Sequence, residues 1–522
     1  MDFKPTPQQE RIIEFIRANP SRSVMVDARA GAAKTSTIEM AAQYIEPSIS
    51  SLAVAFNKRI AEELKGRLPP HFECLTLNGL GHRAWQSARA MRMTVDADKM
   101  YKLTKELLGK NSSDDEANDL FTDTLNLARK AKSAGLVPAG APFKVQGLLP
   151  DTSDSWEKVG HDIWELSDDA IYYARTVLLN SINEAFKGRI DFDDQIYMSV
   201  LFGGKFPRYH TVIVDEAQDL SPLNHLQLVK TVGTRLIAVG DPYQAIYAFR
   251  GADSNSMTSL MGHFQFERLG LTQSFRCPHK VSKRQTDWVP DYSSFESCNE
   301  GQVLRWPRDL PADAEGKPAQ AWSLAMLPQD GAVLCRNNAP LMKLAFALIK
   351  KRRPVKVLGR DIGASLANLL DKITSKSDIP VGEAYDRVQD WAKKEIAKAG
   401  DNESKLETIY DRKECLEVLL EASDAKTSMQ ASNFIRQLFS DKAEGLVLAS
   451  GHRAKGLEWH WVMHLDPWRV PSRQAEKAMH RGDPGPMAQE KNLKYVIETR
   501  TKNTLVMASL EHCEDVEMGE LA

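Results

Sequence analysis

The residues with the clearest capacity for chemistry stand at the ends of three short apolar runs. The first run, Val24–Val26, leads into Asp27-Ala28-Arg29-Ala30-Gly31-Ala32-Ala33-Lys34-Thr35-Ser36 and then into a segment of helical composition. A tight turn feeding a helix amino terminus offers backbone N–H groups to the β- and γ-phosphates of a nucleotide. Lys34 supplies a point charge there and the Thr35 hydroxyl a magnesium ligand. Alanine occupies position 33, where such loops usually carry glycine. An alanine held at positive φ costs about 1–2 kcal/mol, so the expectation is a conformation that alanine adopts without strain.

The second run, Thr211–Val214, ends in Asp215-Glu216-Ala217-Gln218-Asp219. Adjacent carboxylates at the carboxyl edge of a parallel sheet suit two tasks beside a phosphate loop: Asp215 to hold Mg²⁺ and Glu216 to polarise the attacking water. The third run, Leu236–Val239, opens onto Gly240-Asp241-Pro242-Tyr243-Gln244-Ala245-Ile246-Tyr247-Ala248-Phe249-Arg250-Gly251-Ala252. An amide at Gln244 can sense a γ-phosphate, and Tyr247 and Phe249, flanked by Arg250, can stack on bases. Each run alone has an ordinary alternative, an acidic helix start or aromatics in a core. Their joint occurrence argues for nucleotide chemistry.

Elements that must position these residues follow from the hydrophobic pattern. Further apolar runs at Leu52–Phe56, Ala332–Leu334, Val355–Leu358, Leu446–Ala449 and Trp461–Leu465 mostly precede helix-like segments, which predicts α/β architecture with parallel sheets and crossover helices. The runs form two groups, one before about Arg276 and one after about Gly331, with helical insertions at roughly 86–185 and 369–440. Within the first insertion, Leu127–Gly135 reads as a helix whose terminal basic residues complement its dipole, with a phosphate contact as the competing reading. At 522 residues the chain is long enough for three or four folding units. Its 68 Lys+Arg against 70 Asp+Glu exclude a globally basic coat protein, yet a basic groove on a neutral enzyme remains compatible with that balance. Six scattered cysteines without a CxxC pair argue against a disulfide framework or a zinc ribbon. Neither a signal peptide nor an apolar stretch of about 18 residues is legible, so the expected location is cytoplasmic, without a membrane.

At this point the chain resembles superfamily 1 helicases of the UvrD/Rep/PcrA type. DEAQD at 215–219 and GDPYQAIYAFRGA at 240–252 carry most of the resemblance, and the remaining motifs occur in order. Thr6-Pro7-Gln8-Gln9 is similar to the adenine-reading motif, with Gln9 as the reader. Phe56, Asn57 and Lys58, then Thr76 and Asn78, match segments that contact single-stranded DNA, with Asn78 where histidine is commoner. Asp191-Phe192-Asp193-Asp194 resembles the segment preceding the acidic strand. Leu271–Arg276 resembles the motif in which an aromatic, here Phe275, stacks on adenine and an arginine, here Arg276, reaches the γ-phosphate. Ser450-Gly451-His452-Arg453-Ala454-Lys455-Gly456-Leu457-Glu458 is similar to THxxKGLE, with His452 facing DNA and Glu458 bonding the ribose; Tyr495–Arg500 resembles YVAxTR, making Arg500 a second finger.

The resemblance implies two RecA-like P-loop NTPase domains, each with a mainly helical insertion: 1–85 with 186–280, insertion 86–185, then 281–368 with 441–522, insertion 369–440. It implies ATP with Mg²⁺, phosphate contacts from Ala30 through Ser36, single-stranded DNA and ss/ds junctions as partners, 3′ to 5′ movement, and a monomer or weak oligomer working with replication or repair proteins. After Arg500 the chain carries a strand-like Thr504–Met507 and an acidic end without an aromatic, so translocation is expected to outlast efficient strand separation, and no fused nuclease is expected. The alternative is a DNA-stimulated ATPase that displaces proteins from single strands without efficient unwinding; a hydrolysis-dead homologue is a third reading.

Overall fold

The computed structural model describes residues 4–109, 115–160, 163, 166–247, 255–312, 316–400, 403–423, 425–438 and 444–516. The chain divides into two compact units, residues 1–29 with 33–271, and residues 30–32 with 272–522.

The first unit contains β1 (Ser23–Ala28), β2 (Ser51–Ala55), β3 (Phe72–Thr76), β4 (Thr94–Val95), β5 (Arg189–Ile190), β6 (Tyr209–Val214), β7 (Val232–Gly240) and β8 (Phe266–Leu271). Six of these form one parallel sheet in the order β3-β2-β6-β7-β1-β8, and β4 pairs with β5 apart from it. Helices cover both faces of such a sheet, which is why β1 and β2 are almost wholly apolar and buried. Because β7 lies between β6 and β1, the segments leaving all three strands meet at one edge. Register fixes the meeting: Asp27 is level with Gly240, and Val214 with Ala238.

Between β3 and β6 run the helices Leu77–Arg89, Lys99–Leu108, Asp115–Ser133, Asp168–Phe186 and Asp194–Leu201, around a core that includes Trp85, Leu127, Trp156, Val177 and Tyr197. The expected helix around Leu127–Gly135 is there, but the role given to its basic end needs correction. Lys132 is fully buried and bound to Asp191 at 2.6 Å and Asp194 at 2.7 Å, with Lys99 sharing Asp194. It stands in the last turn, as the dipole reading expected, but its ammonium is taken up by these aspartates rather than offered to a phosphate. The DFDD segment at 191–194 thus anchors the inserted helices through buried ion pairs.

The second unit contains β9 (Gln273–Ser274), β10 (Ser293–Ser294), β11 (Gln302–Trp306), β12 (Ala332–Cys335), β13 (Val355–Val357), β14 (Leu446–Ser450), β15 (Trp459–Leu465) and β16 (Thr501–Ala508). Its six-stranded parallel sheet has the order β11-β16-β15-β12-β14-β13. The second strand group therefore begins at Gln302 rather than after Gly331. Helices Arg360–Ile373, Val381–Ala399, Glu403–Ala422 and Ser428–Leu438 lie between β13 and β14 and pack into the same hydrophobic core as the sheet. Among the described residues, no helix is long and apolar enough to cross a membrane.

Candidate functional site

In the first unit the three converging strand ends build one polar cluster. The loop after β1 enters the helix Lys34–Ala42, and Lys34 Nζ lies 2.9 Å from Glu216 Oε2. Burial works against the Lys34 charge, but Glu216, Asp215 and Asp241 outweigh it and hold the ammonium above its ordinary pKa. Asp215, at the end of β6, is pushed up to about 6, first by burial and then by the Glu216 charge, against the pull of Lys34. Asp241, at the end of β7, is likewise raised by burial. Three carboxylates around one lysine leave an excess of buried negative charge that a divalent cation would relieve. The Thr35 hydroxyl has no hydrogen-bond partner among the described residues, so a hydroxyl and a carboxylate of the kind magnesium takes are both present.

Sequence reasoning passed over two members of this cluster. Gln218 Nε2 donates to Glu216 Oε2 at 2.5 Å, while its Oε1 accepts the Asp241 N–H at 3.0 Å. Asp241 Oδ2 in turn accepts from Gln244 Nε2 at 2.7 Å. Glu216 and Gln244 are therefore joined through two amides and a carboxylate. Both Gln218 and Asp241 stood inside the quoted motifs, but only their hydrogen bonds reveal the linkage. Close packing supports it: a Cβ at Gly240 would lie 2.6 Å from Gln218 Oε1.

The expectation for Ala33 is overturned. Its φ is 57° and ψ 40°, the left-handed region. Such strain persists where neighbours over-determine the backbone. Here the Ala33 carbonyl accepts both the Thr37 N–H at 3.0 Å and the Thr37 hydroxyl at 2.9 Å, and Gln9 Nε2 donates to that hydroxyl at 3.0 Å. Gln9 is fully buried, and its Oε1 accepts from the Thr6 N–H at 3.0 Å. The expected adenine reader thus buttresses the loop, with both ends of its amide engaged internally. Ser36 Oγ accepts from Arg67 at 3.2 Å. Glu216 also adopts a left-handed conformation, φ 54°, immediately after the strand.

Of the expected DNA contacts in this unit, Phe56 is 43% exposed and its ring is parallel to that of Tyr247 within 5°, with centroids 6.4 Å apart. Lys58 projects into solvent, 3.7 Å from Glu62. Asn57 and Thr76 act locally as helix caps, accepting from Ile60 N–H at 3.0 Å and Gly79 N–H at 2.9 Å. Asn78 Nδ2 donates to the Phe192 carbonyl at 2.8 Å, beside a Phe192 ring left 58% exposed. Phe249 and Arg250 lie outside the described residues.

The second unit holds the arginines. Arg276 Nε donates to Glu458 Oε2 at 2.5 Å, and Lys502 Nζ lies 2.6 Å from Glu458 Oε1. Although burial opposes it, these two cations hold the Glu458 carboxyl below its ordinary range. Arg500 is almost fully buried, and its guanidinium donates to the carbonyls of Val496 at 2.8 Å and Leu457 at 3.3 Å and to Thr499 Oγ1 at 3.2 Å. Among the described residues no carboxylate pairs with it. Burial, then the neighbouring Arg276 charge, lowers its pKa to about 10. A buried guanidinium without a carboxylate, repelled by a second cation nearby, favours an anion. Glu498, two residues before Arg500, ties the helix Gly485–Glu498 to the helix His279–Gln285 through Arg284 at 2.9 Å and Gln285 at 2.7 Å. Sequence reading missed this buried clamp because a glutamate in a helix usually signals a solvated face.

The loop residues Ala30–Ala32 group with this second unit. Ala30 N–H donates to Tyr495 Oη at 2.8 Å, and the Ala30 carbonyl accepts from Tyr292 Oη at 2.9 Å. Gly31, at φ 74°, accepts the Phe275 N–H at 2.9 Å. Phe275 itself packs on Phe295, with ring centroids 4.8 Å apart. His452 is half-buried in the short helix Gly451–Ala454 after β14.

A first strand feeding a phosphate-type loop, carboxylates at the ends of neighbouring parallel strands, and a second all-parallel sheet define a P-loop NTPase with two RecA-like folds. The profile of the UvrD/REP helicase N-terminal domain matches residues 6–265. Within that class, the chain belongs to the UvrD/Rep-like branch of helicase superfamily 1. It is similar to F-box DNA helicase protein 1 of Schizosaccharomyces pombe, 25% identical over 540 residues, covering 96% of this chain and 57% of that protein. F-box DNA helicase 1 of Gallus gallus is 24% identical over 547 residues, covering 98% of this chain and 50% of the relative. ATP-dependent DNA helicase UvrD2 of Mycobacterium tuberculosis is 24% identical over 557 residues, covering 94% of this chain and 77% of the relative. The chain thus spans about half the length of the F-box relatives.

Proposed function

We propose that the chain is an ATP-dependent DNA helicase and translocase that moves 3′ to 5′ on single-stranded DNA and separates duplexes by coupling ATP hydrolysis to closure of its two RecA-like units. The observation that carries the reading is the cluster at the first sheet's carboxyl edge, where Lys34 is held by Glu216 beside buried Asp215 and Asp241. In this reading ATP takes Lys34 away from Glu216. The lysine then binds the γ-phosphate, and the released carboxylate accepts a proton from the attacking water. Magnesium held by Thr35 and Asp215 would neutralise charge on the β- and γ-phosphates. On closure Arg276 exchanges Glu458 for phosphate oxygens, and Arg500 gains the anion its buried guanidinium lacks. Glu458 is then available to a ribose hydroxyl, and Phe275 to the adenine.

The linkage from Glu216 through Gln218 and Asp241 to Gln244 gives hydrolysis a route toward Tyr247, and Tyr247 and Phe56 present parallel faces for bases. Lys58 and His452 belong to the same proposed track. The domain bounds read from the sequence, 1–85 with 186–280 around the insertion 86–185 and 281–368 with 441–522 around the insertion 369–440, belong to this reading, whereas the compact units assign Phe275 and Arg276 to the second. Partners in this reading are single strands, ss/ds junctions and replication or repair proteins. The test is unwinding of duplexes carrying either a 3′ or a 5′ single-stranded tail. ATP-dependent unwinding of the 3′-tailed substrate alone supports the proposal; unwinding only from a 5′ tail overturns the polarity, and none from either overturns strand separation.

A further inference from the structure

Beyond β15 the second unit exposes an aromatic ring for which the fold has no use. Trp468 lies in the single turn Pro467–Arg469 at the carboxyl end of that strand and is 62% exposed. An indole left in water forgoes the large burial that usually retains tryptophan in a fold. Its surroundings are nevertheless firmly built. Asp466 is held at φ 48°, in the left-handed region, and is 3% exposed. Its carboxylate accepts from the Leu510 N–H at 2.8 Å and from Arg469 Nε at 3.0 Å, and its own N–H donates to the Ala508 carbonyl at 2.8 Å. Arg469, fixed in this way, lays its guanidinium over the Trp468 ring, 4.6 Å from the centroid. A strained backbone and a buried carboxylate therefore serve to present an indole to solvent, backed by a cation.

The helix that follows, Arg473–His480, adds charge to this feature. Ser472 caps it, accepting from the Ala475 N–H at 3.2 Å, and Ala475 and Ala478 are buried beneath it. The opposite face carries Arg473, Lys477 and, just past the helix end, Arg481, all exposed. Residues four apart on a helix succeed one another about every 6 Å along one face, so these cations form a stripe along the helix that follows Trp468 in the chain. Neither Arg473 nor Arg481 is paired with a carboxylate among the described residues. Glu476 on the same helix and Asp483 just beyond it are also exposed, so the surface of this segment sets Arg469, Arg473, Lys477 and Arg481 against two carboxylates, a modest local excess of positive charge in a chain of net charge −2.

We propose that Trp468–Arg469 and the Arg473, Lys477 and Arg481 stripe form a contact for single-stranded nucleic acid, with a base stacked on the open indole face and the phosphates following the stripe. The site rests on the reading of the chain as a DNA motor and gives the second unit a stacking contact of its own. The carboxyl edge of the same sheet also carries the Ser450–Ala454 segment from β14. An aromatic face accepts any base, so the contact is indifferent to sequence, as a translocating protein requires. An acidic protein segment would need the cations but not the indole.

Binding of a labelled oligothymidine of about 20 nucleotides, followed by anisotropy at several salt concentrations, tests this with the full chain. Trp468→Ala should weaken binding by about 5- to 150-fold, the span expected for one base stacked on an aromatic, and Trp468→Phe should recover most of the loss. Arg473→Gln with Arg481→Gln should reduce the slope of log affinity against log salt by about 1.4, at roughly 0.7 per phosphate contact. These side chains are exposed, and thermal melting checks that each variant is folded. Wild-type binding matched by all the variants, in affinity and salt slope, overturns the contact and leaves the motor reading standing. Loss in the arginine variant alone leaves the stripe as a phosphate contact and overturns the stacking on Trp468. A wild-type protein that binds no oligonucleotide sinks the motor reading itself.

Discussion

Ala33→Gly is expected to stabilise the first unit, although it removes a methyl group and adds the most flexible residue. Ala33 is held at φ 57° and ψ 40°, and the left-handed conformation costs an L-residue with a Cβ about 1–2 kcal/mol. Glycine releases that strain but loses about 0.5–1 kcal/mol more backbone entropy on folding. The net gain is about 0.5–1 kcal/mol. For a unit of this size, each kcal/mol moves the melting temperature by about 2–4 °C, so a rise of about 1–4 °C is expected. Differential scanning calorimetry reads it, with Ala33→Val as the opposing control because a β-branched residue fits the left-handed region worse. The hydrogen bonds that fix position 33 come from its own carbonyl and survive both changes. A melting temperature unchanged or lowered by glycine would refute the reasoning. If the strain disables hydrolysis, the glycine variant should also gain turnover, whereas equal turnover assigns the alanine no catalytic penalty.

Two further changes probe the buried charges. Asp194→Ala leaves Lys99 and Lys132 short of negative charge in the core of the inserted helices and should cost about 3–5 kcal/mol, read as an earlier denaturant midpoint. Glu498 is held well below the ordinary carboxylate pKa of 4.5 because His464 and Arg284 outweigh burial. A depressed folded pKa contributes stability that is complete above about pH 4.5 and is lost as pH falls toward the folded value. Urea unfolding between about pH 7 and pH 3 should show that loss in the wild type, and a flatter profile from a lower starting point in Glu498→Gln. Parallel profiles would remove Glu498 from the account.

The strands readable in advance were almost all interior ones. β1, β2, β6, β7, β12, β14 and β15 have neighbours on both sides, and burial on both faces leaves continuous apolar runs. Of the two six-stranded sheets, the strands missed, β3, β8 and β11, are edges with charged or polar residues such as Glu73, Arg268 and Arg305, whose half-exposed pattern blurs into loop; the two-residue strands β4, β5, β9 and β10 are too short to leave a pattern. Motif residues at the strand ends were legible because chemistry constrains residue type there. The left-handed Ala33 was not, since loop closure and the Gln9–Thr37 support decide it, and neither leaves a mark on residue 33. Gln9 itself illustrates the same limit: its type is visible in the sequence, while the partners that occupy its amide are visible only in the fold. Lys132 looked like a helix-end cation because the two aspartates that bury it lie 59 and 62 residues away.

The central claim is that Lys34 and the acidic strand ends hydrolyse ATP in response to DNA. Steady-state ATP turnover, with and without single-stranded DNA, in the wild type and in Lys34→Ala, tests it most directly. The account predicts turnover in the wild type that rises on addition of DNA and is abolished in the variant. DNA-stimulated turnover retained in Lys34→Ala, or wild-type turnover indifferent to DNA, would contradict it.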